Sequence, residues 1–129
     1  MLDVHPRVAY ALICAKEDAI LIDVRSDVEF LFVGHAKAAI HIPWYQEPKW
    51  EVNPHFIKNL RQVARSPERP ILFICRNGNR SKEAGESAER HGFTQIYNVL
   101  HGFEGDLNQN NRRGQLNGWR YEDLPWEQC

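Results

Sequence analysis

Two short runs in this chain, Ala19-Ile20-Leu21-Ile22-Asp23-Val24 and Ile71-Leu72-Phe73-Ile74, are apolar at consecutive rather than alternating positions. A strand with one face in water alternates apolar and polar residues, whereas consecutive apolar residues require cover on both faces. Both runs therefore read as buried strands. Ala39-Ile40-His41-Ile42, ended by Pro43, and Thr94-Gln95-Ile96-Tyr97-Asn98-Val99 read as further strands. Helix-like segments separate them. Asp3 is placed to cap a helix through about Cys14, with Val8, Ala9, Leu12 and Ile13 on one face. Ser26 and Glu29 have the spacing of a capping box, which opens a short helix to about Phe32. Asn53-Pro54 starts a helix to about Arg65, residues 66–70 form a turn, and a helix over 81–91 is closed by Gly92. Strands alternating with helices imply βαβ units, an α/β class and a mostly parallel sheet.

A chain of 129 residues suits one compact domain over residues 1–129. Its 43% hydrophobic content can fill a core, and 26% charged residues are too few for a disordered chain. The net charge of −1 supplies no global field to recruit nucleic acid or an acidic membrane, so neither is expected as a partner. No apolar run approaches bilayer length, and the first residues, Met1-Leu2-Asp3-Val4-His5-Pro6-Arg7, lack the basic start and apolar stretch of a secretion signal. A cytoplasmic location is the resulting expectation. The three cysteines, Cys14, Cys75 and Cys129, are widely spaced and odd in number, so a disulfide framework is not expected. Neither a Cys-x-x-Cys pair nor a histidine spacing suggests a metal site.

The run at 71–74 stops at Cys75, and a short basic loop leads from it into a helix: Cys75-Arg76-Asn77-Gly78-Asn79-Arg80-Ser81. In a parallel sheet, ligands bind beyond the carboxyl ends of the strands. A thiol at a strand tip and at the start of a helix meets unpaired helix N–H groups and nearby arginine cations, both of which favour the thiolate. Gly78 lets the backbone turn so that successive N–H groups point inward, and Arg76 and Arg80 add charge and donors. This arrangement makes Cys75 a candidate nucleophile inside an anion cradle. The loop has two arginines and no acid, which points to a small anionic substrate. Arg80 is placed either to hold a bound oxyanion or to brace the loop. Asp23, at a neighbouring strand tip, is placed to pair with a loop arginine.

Other chemically capable residues have plainer readings. Cys14, beside Ile13 on an amphipathic segment, reads as packed or inert rather than reactive. Cys129 reads as a frayed terminal residue. His35 reads as a structural donor beside Gly34, and His101 as packed or exposed beyond a strand end. Trp44, Tyr45 and Trp50 fit a pocket wall, a partner surface or a hydrophobic cluster under a loop. Residues 101–118 form a loop long enough to suggest function, with Arg112-Arg113 at a solvated tip.

The chain resembles the rhodanese-like superfamily over most of its length. Leu21-Ile22-Asp23-Val24-Arg25 with Glu29-Phe30 is similar to that family's first signature, and Gly34-His35 with Ala39-Ile40-His41-Ile42-Pro43 to its second. The Cys75–Ser81 stretch resembles its active loop, and Gly118-Trp119 with Leu124-Pro125-Trp126 its closing segment. The resemblance implies a rhodanese-like fold, with a five-stranded mostly parallel sheet flanked by helices on both faces. It also implies sulfur transfer through a persulfide on Cys75, with Arg76, Asn77, Gly78, Asn79, Arg80, Ser81 and Asp23 around the substrate and no metal or organic cofactor. In the family's sulfurtransferase branch the loop arginine lies five residues after the cysteine, as Arg80 does. In the related phosphatases and arsenate reductases it lies at the sixth position, here Ser81. The implied reaction is transfer of sulfane sulfur from thiosulfate or a similar small anionic donor to cyanide or a thiol. The alternative is a sulfur-carrier or interaction module served by a protein sulfur-relay partner. Two departures, Ala38 and Phe103 in place of family glycines, bear on substrate access.

Overall fold

The computed structural model describes residues 1–128. Its elements, in chain order, are β1 (Leu2–Val4), α1 (Pro6–Ala15), β2 (Ile20–Asp23), a π-helical turn (Glu29–Val33), β3 (His35–Ala36), β4 (Ala39–His41), β5 (Tyr45–Gln46), β6 (Glu51–Val52), α2 (Phe56–Ala64), β7 (Ile71–Ile74), α3 (Asn79–Arg90), β8 (Ile96–Val99) and β9 (Trp126–Glu127). Five strands form one sheet in the order β1-β8-β7-β2-β4, and every pairing within it is parallel. The strand carrying Cys75 at its end is the central one. Two antiparallel ribbons, β3–β9 and β5–β6, lie outside this sheet.

The period-two alternation of strand side chains divides the core. Ile20, Ile22, Ile71, Phe73 and Cys75 face α2 and α3, where Phe56, Leu60, Ala64, Ala84 and Ala88 meet them. Leu21, Leu72, Ile74 and Val99 face the other way, against Ala9 of α1, Phe103 and Trp119. Helices therefore cover both faces, which is why β2 and β7 are buried along their whole length. Truncating a side chain such as the fully buried Leu60 to alanine would cost about 2–5 kcal/mol.

Several local expectations change. Asp3 caps no helix. It lies in β1, paired in register with Asn98 of β8, because the exposed start of the chain gains a parallel neighbour for its backbone groups. His5 caps α1 instead, its Nδ1 accepting from the Arg7 N–H at 3.2 Å, with Pro6 in the first turn. The Ser26–Glu29 capping box forms, with Ser26 Oγ and Glu29 Oε1 3.0 Å apart, but the turn that follows is π-helical. Asn53 orders the start of α2 by accepting the His55 N–H at 2.9 Å. Cys14 is exposed on α1, so of its two plain readings the packed one does not hold. Cys129 lies outside the described residues.

Candidate active site

β7 delivers Cys75 to the carboxyl edge of the sheet, where its side chain is fully buried under the 76–80 loop. Among the described residues, two groups reach its sulfur. The Gly78 N–H donates to Sγ at 3.1 Å, and Ser81 Oγ lies 3.1 Å away. Gly78 has φ +108°, a conformation that glycine adopts without strain, and this turns its amide inward at the start of α3. The expected ring of amides is thus one amide and one hydroxyl.

The loop is held from outside itself. The N–H of Phe103 donates to the Cys75 carbonyl at 2.7 Å, and those of Glu104 and Gly105 donate to the Arg76 carbonyl at 3.0 and 3.2 Å. Gly102 permits this approach, since a Cβ at that position would overlap the Cys75 carbonyl. Phe103 is fully buried, its ring 4.7 Å from the Arg25 guanidinium carbon and edge-on to Trp126 at 5.7 Å. Its ring is packed in the core with no surface open to solvent. Ala38 is exposed. Within 101–118, Asn117 binds Asp106 twice and Arg113 donates to the Gly105 carbonyl at 2.7 Å, which orders a segment that sequence alone reads only as loop.

Arg80 leaves the sulfur and grips Glu29. Nη1–Oε1 is 2.7 Å and Nη2–Oε2 is 2.8 Å, a bidentate pair. Burial by itself would raise the Glu29 carboxyl, but Arg80, with help from Ser26, outweighs it and holds the group at about 2. Burial would likewise lower Arg80, and the same pair outweighs it, so the guanidinium is raised from its ordinary value. Arg80 therefore braces the loop. Its guanidinium carbon also lies 5.5 Å from the Trp50 ring centre. Trp50 stacks on Tyr45 at 5.6 Å, and the Tyr45 hydroxyl donates to Glu83 of α3 at 3.0 Å. These two aromatics form a wall beside the loop, while Trp44 joins the core edge-on to Phe56.

Asp23 pairs with Arg25, not with a loop arginine. Both are fully buried and joined by contacts of 2.8–3.2 Å, and Arg25 also donates to the Gly34 carbonyl at 2.6 Å. The chain bends at Arg25 just past β2, and the Arg25 N–H also donates to Asp23 Oδ1 at 3.0 Å, which holds the two side chains together. Of the remaining predicted residues, Asn77 is half-buried on the loop, and Arg76 and Asn79 are exposed. His35 is structural, as read: Nδ1 meets the Phe30 carbonyl at 2.9 Å and its ring stacks on Phe30. His101 faces Asp106 at 3.1 Å. A cavity of about 220 Å³ lined by Ser26, Asp27, Pro43, Tyr45, Gln46 and Glu47 lies apart from Cys75 and is polar and acidic.

The sequence reading missed two residues. Glu29 was absorbed by its capping role. Asn98, 3% exposed, links Ser81 to Asp3: the Ser81 hydroxyl donates to its Oδ1 at 2.5 Å, and its Nδ2 donates to Asp3 Oδ1 at 3.1 Å. An asparagine between apolar strand positions was the available signal, because buried polar groups need partners.

The Rhodanese-like domain family matches residues 5–109. The chain belongs to that family. Relatives of this rhodanese-like protein include Rv0390 from M. tuberculosis, whose crystal structure superposes with a TM-score of 0.88 at 36% identity, covering 100% of this chain and 98% of that one. An uncharacterized protein of Rickettsia conorii is 30% identical over 92% of this chain and 91% of its own. Thiosulfate sulfurtransferase GlpE of Pseudomonas putida is 32% identical over 69% of this chain and 70% of its own. Rhodanese-family membership supports sulfurtransferase-type chemistry as a class. Among the described residues, no cluster of three or more histidine, cysteine or acidic side chains could hold a metal, and no helix is long and apolar enough to cross a membrane.

Proposed function

We propose that the protein is a sulfurtransferase that carries sulfane sulfur as a persulfide on Cys75. The observation that carries this reading is a lone thiol at the tip of the central strand, with an amide and a hydroxyl each 3.1 Å from its sulfur at the start of α3. The amide stabilises negative charge on sulfur, and the hydroxyl does so when it turns its hydrogen to the thiolate.

In the first half-reaction the Cys75 thiolate attacks the outer sulfur of a donor such as thiosulfate. The donor's S–S bond breaks, and sulfite leaves with the electron pair. Cys75 then carries a persulfide whose outer sulfur bears the charge. In the second, cyanide or an acceptor thiolate attacks that outer sulfur, leaves as thiocyanate or a persulfide, and returns the Cys75 thiolate. Arg76, exposed on the loop, attracts the anionic donor. Arg80 contributes by fixing the loop, and Asp23 by fixing Arg25 beneath it.

A second reading is favoured by the burial of the sulfur and the engagement of Arg80 by Glu29. In it, the protein is a sulfur carrier charged by another protein's persulfide and turns thiosulfate over poorly. Intact mass separates the two. On the first reading, thiosulfate adds one sulfur atom, Cys75→Ser abolishes the gain, and cyanide removes it. On the second, the gain appears only with a persulfidated protein donor. No gain from either source overturns both.

A further inference from the structure

We propose that Asn98 is a positioning residue for Cys75: its carboxamide, oriented by Asp3, competes with the sulfur for the single hydroxyl hydrogen of Ser81. The inference rests on the reading of Cys75 as the nucleophile.

The orientation follows from donor and acceptor bookkeeping. The Asp3 carboxylate only accepts hydrogen bonds, so the Asn98 group 3.1 Å from its Oδ1 is the NH2 end. The Asn98 oxygen must then face Ser81, at 2.5 Å, and a carbonyl oxygen can only accept. The Ser81 hydrogen is thereby directed to Asn98, its nearer acceptor, with the Gly78 carbonyl at 3.2 Å as the more distant one. Its oxygen, 3.1 Å from Cys75 Sγ, is left to accept from the thiol S–H. While sulfur carries its hydrogen, the donors run in a chain Cys75, Ser81, Asn98, with the Asn98 NH2 turned to Asp3 and, at 3.4 Å, to the Gly78 carbonyl.

Ionisation breaks this chain. A thiolate has no hydrogen to give, so Ser81 must rotate to donate to sulfur and abandon the buried Asn98 oxygen. An acceptor buried at 3% exposure and deprived of its donor is costly. In the persulfide, Sγ is neutral and the charge sits on the outer sulfur, so Ser81 can return to Asn98. Asn98 thus penalises the free thiolate relative to both thiol and persulfide, and favours the sulfur-loaded protein over the ionised, unloaded one. The charged groups around the sulfur are Arg80 on α3, paired with Glu29, and Asp23 with Arg25 at the end of β2. Arg76 lies on the loop, and the His101–Asp106 pair just beyond β8. None of these touches the Ser81 hydroxyl.

The test is the pH profile of thiolate ultraviolet absorbance in a Cys14→Ser background, taken as the difference from the same protein carrying Cys75→Ser. Asn98→Ala leaves the Ser81 hydrogen to sulfur and to the Gly78 carbonyl 3.2 Å away, and moves the profile to lower pH by up to about one unit. Asp3→Ala, at the exposed β1, releases the amide and moves the profile the same way by less. In a Ser81→Ala background, Asn98→Ala has no further effect, because the coupling runs through the hydroxyl. Unchanged profiles in both Asn98→Ala and Asp3→Ala, or an Asn98 effect that persists without Ser81, overturn the proposal. Displaced profiles in a protein that gains no sulfur from any donor would remove the transfer reading and leave the relay standing.

Discussion

Glu29 and Arg80 stand 51 residues apart in sequence and meet through two parallel hydrogen bonds of 2.7 and 2.8 Å. The contact ties the turn after β2 to the first turn of α3, and so fixes the loop over Cys75 from the side. It also offsets one of the loop's two positive charges, which the sequence of the loop alone does not reveal.

The pair predicts a pH-dependent stability. The Glu29 carboxyl is held at about 2 against an ordinary 4.5, so the unfolded chain takes up the proton first as pH falls. The stabilisation is complete above pH 4.5 and is lost as pH drops toward 2. With both side chains partly open to water, Glu29→Gln should cost about 1–2 kcal/mol at neutral pH. Thermal melts of the two proteins should differ at pH 7 and converge near the acid limit. A Tm difference that does not change with pH would contradict the assignment.

Gly102 is predicted to be intolerant of any side chain. Its φ is +59°, and a Cβ would overlap the carbonyl of Cys75 and the carbonyl group of Arg76. Gly102→Ala should therefore displace the loop backbone and destabilise the fold by about 2 kcal/mol or more. The check is denaturant unfolding together with sulfur loading measured on the folded fraction. Wild-type loading in that fraction would show that the loop tolerates the shift.

What sequence could reveal followed from locality. The strand at 71–74 and its cysteine tip were legible because four consecutive apolar residues admit few arrangements. β1 was misread as a helix cap because a three-residue edge strand is defined by β8, nearly a hundred residues away, and not by its own composition. The β5–β6 ribbon, two residues per strand, carries no periodicity to detect. The site divides in the same way. Cys75, Gly78 and Ser81 lie within seven consecutive residues, from the end of β7 to the first turn of α3, and are read together. Glu29, Asn98 and Asp3 enter from other elements through side-chain hydrogen bonds that no spacing encodes. Asp23 stands at the sheet edge as expected, but its partner is Arg25, brought to it by a bend past β2 that residue spacing does not encode.

Phe103 separates packing from access. Its ring is buried against Arg25, Trp126 and Arg120. Phe103→Ala should cost about 3–5 kcal/mol by leaving a cavity, and Phe103→Leu considerably less. If the ring only packs, the Leu variant retains the wild-type KM for thiosulfate while its denaturation midpoint falls. A changed KM with unchanged stability would return Phe103 to the substrate path.

Arg76 offers the sharpest test of how an anionic donor is drawn to a buried sulfur. Its side chain is exposed and, among the described residues, engages no acid, whereas Arg80 is neutralised by Glu29. If long-range attraction rests on Arg76, Arg76→Ala should raise the KM for thiosulfate by roughly 3- to 5-fold, about 1 kcal/mol for an exposed charge. The kcat should change little, because the residue does not touch Sγ. Salt should mimic the substitution: raising ionic strength weakens the wild type toward the variant while leaving the variant nearly flat. Equal salt dependence in the two proteins would move the attraction elsewhere. Loss of kcat at constant KM would instead place Arg76 against the departing sulfite, where charge grows as the donor's S–S bond breaks.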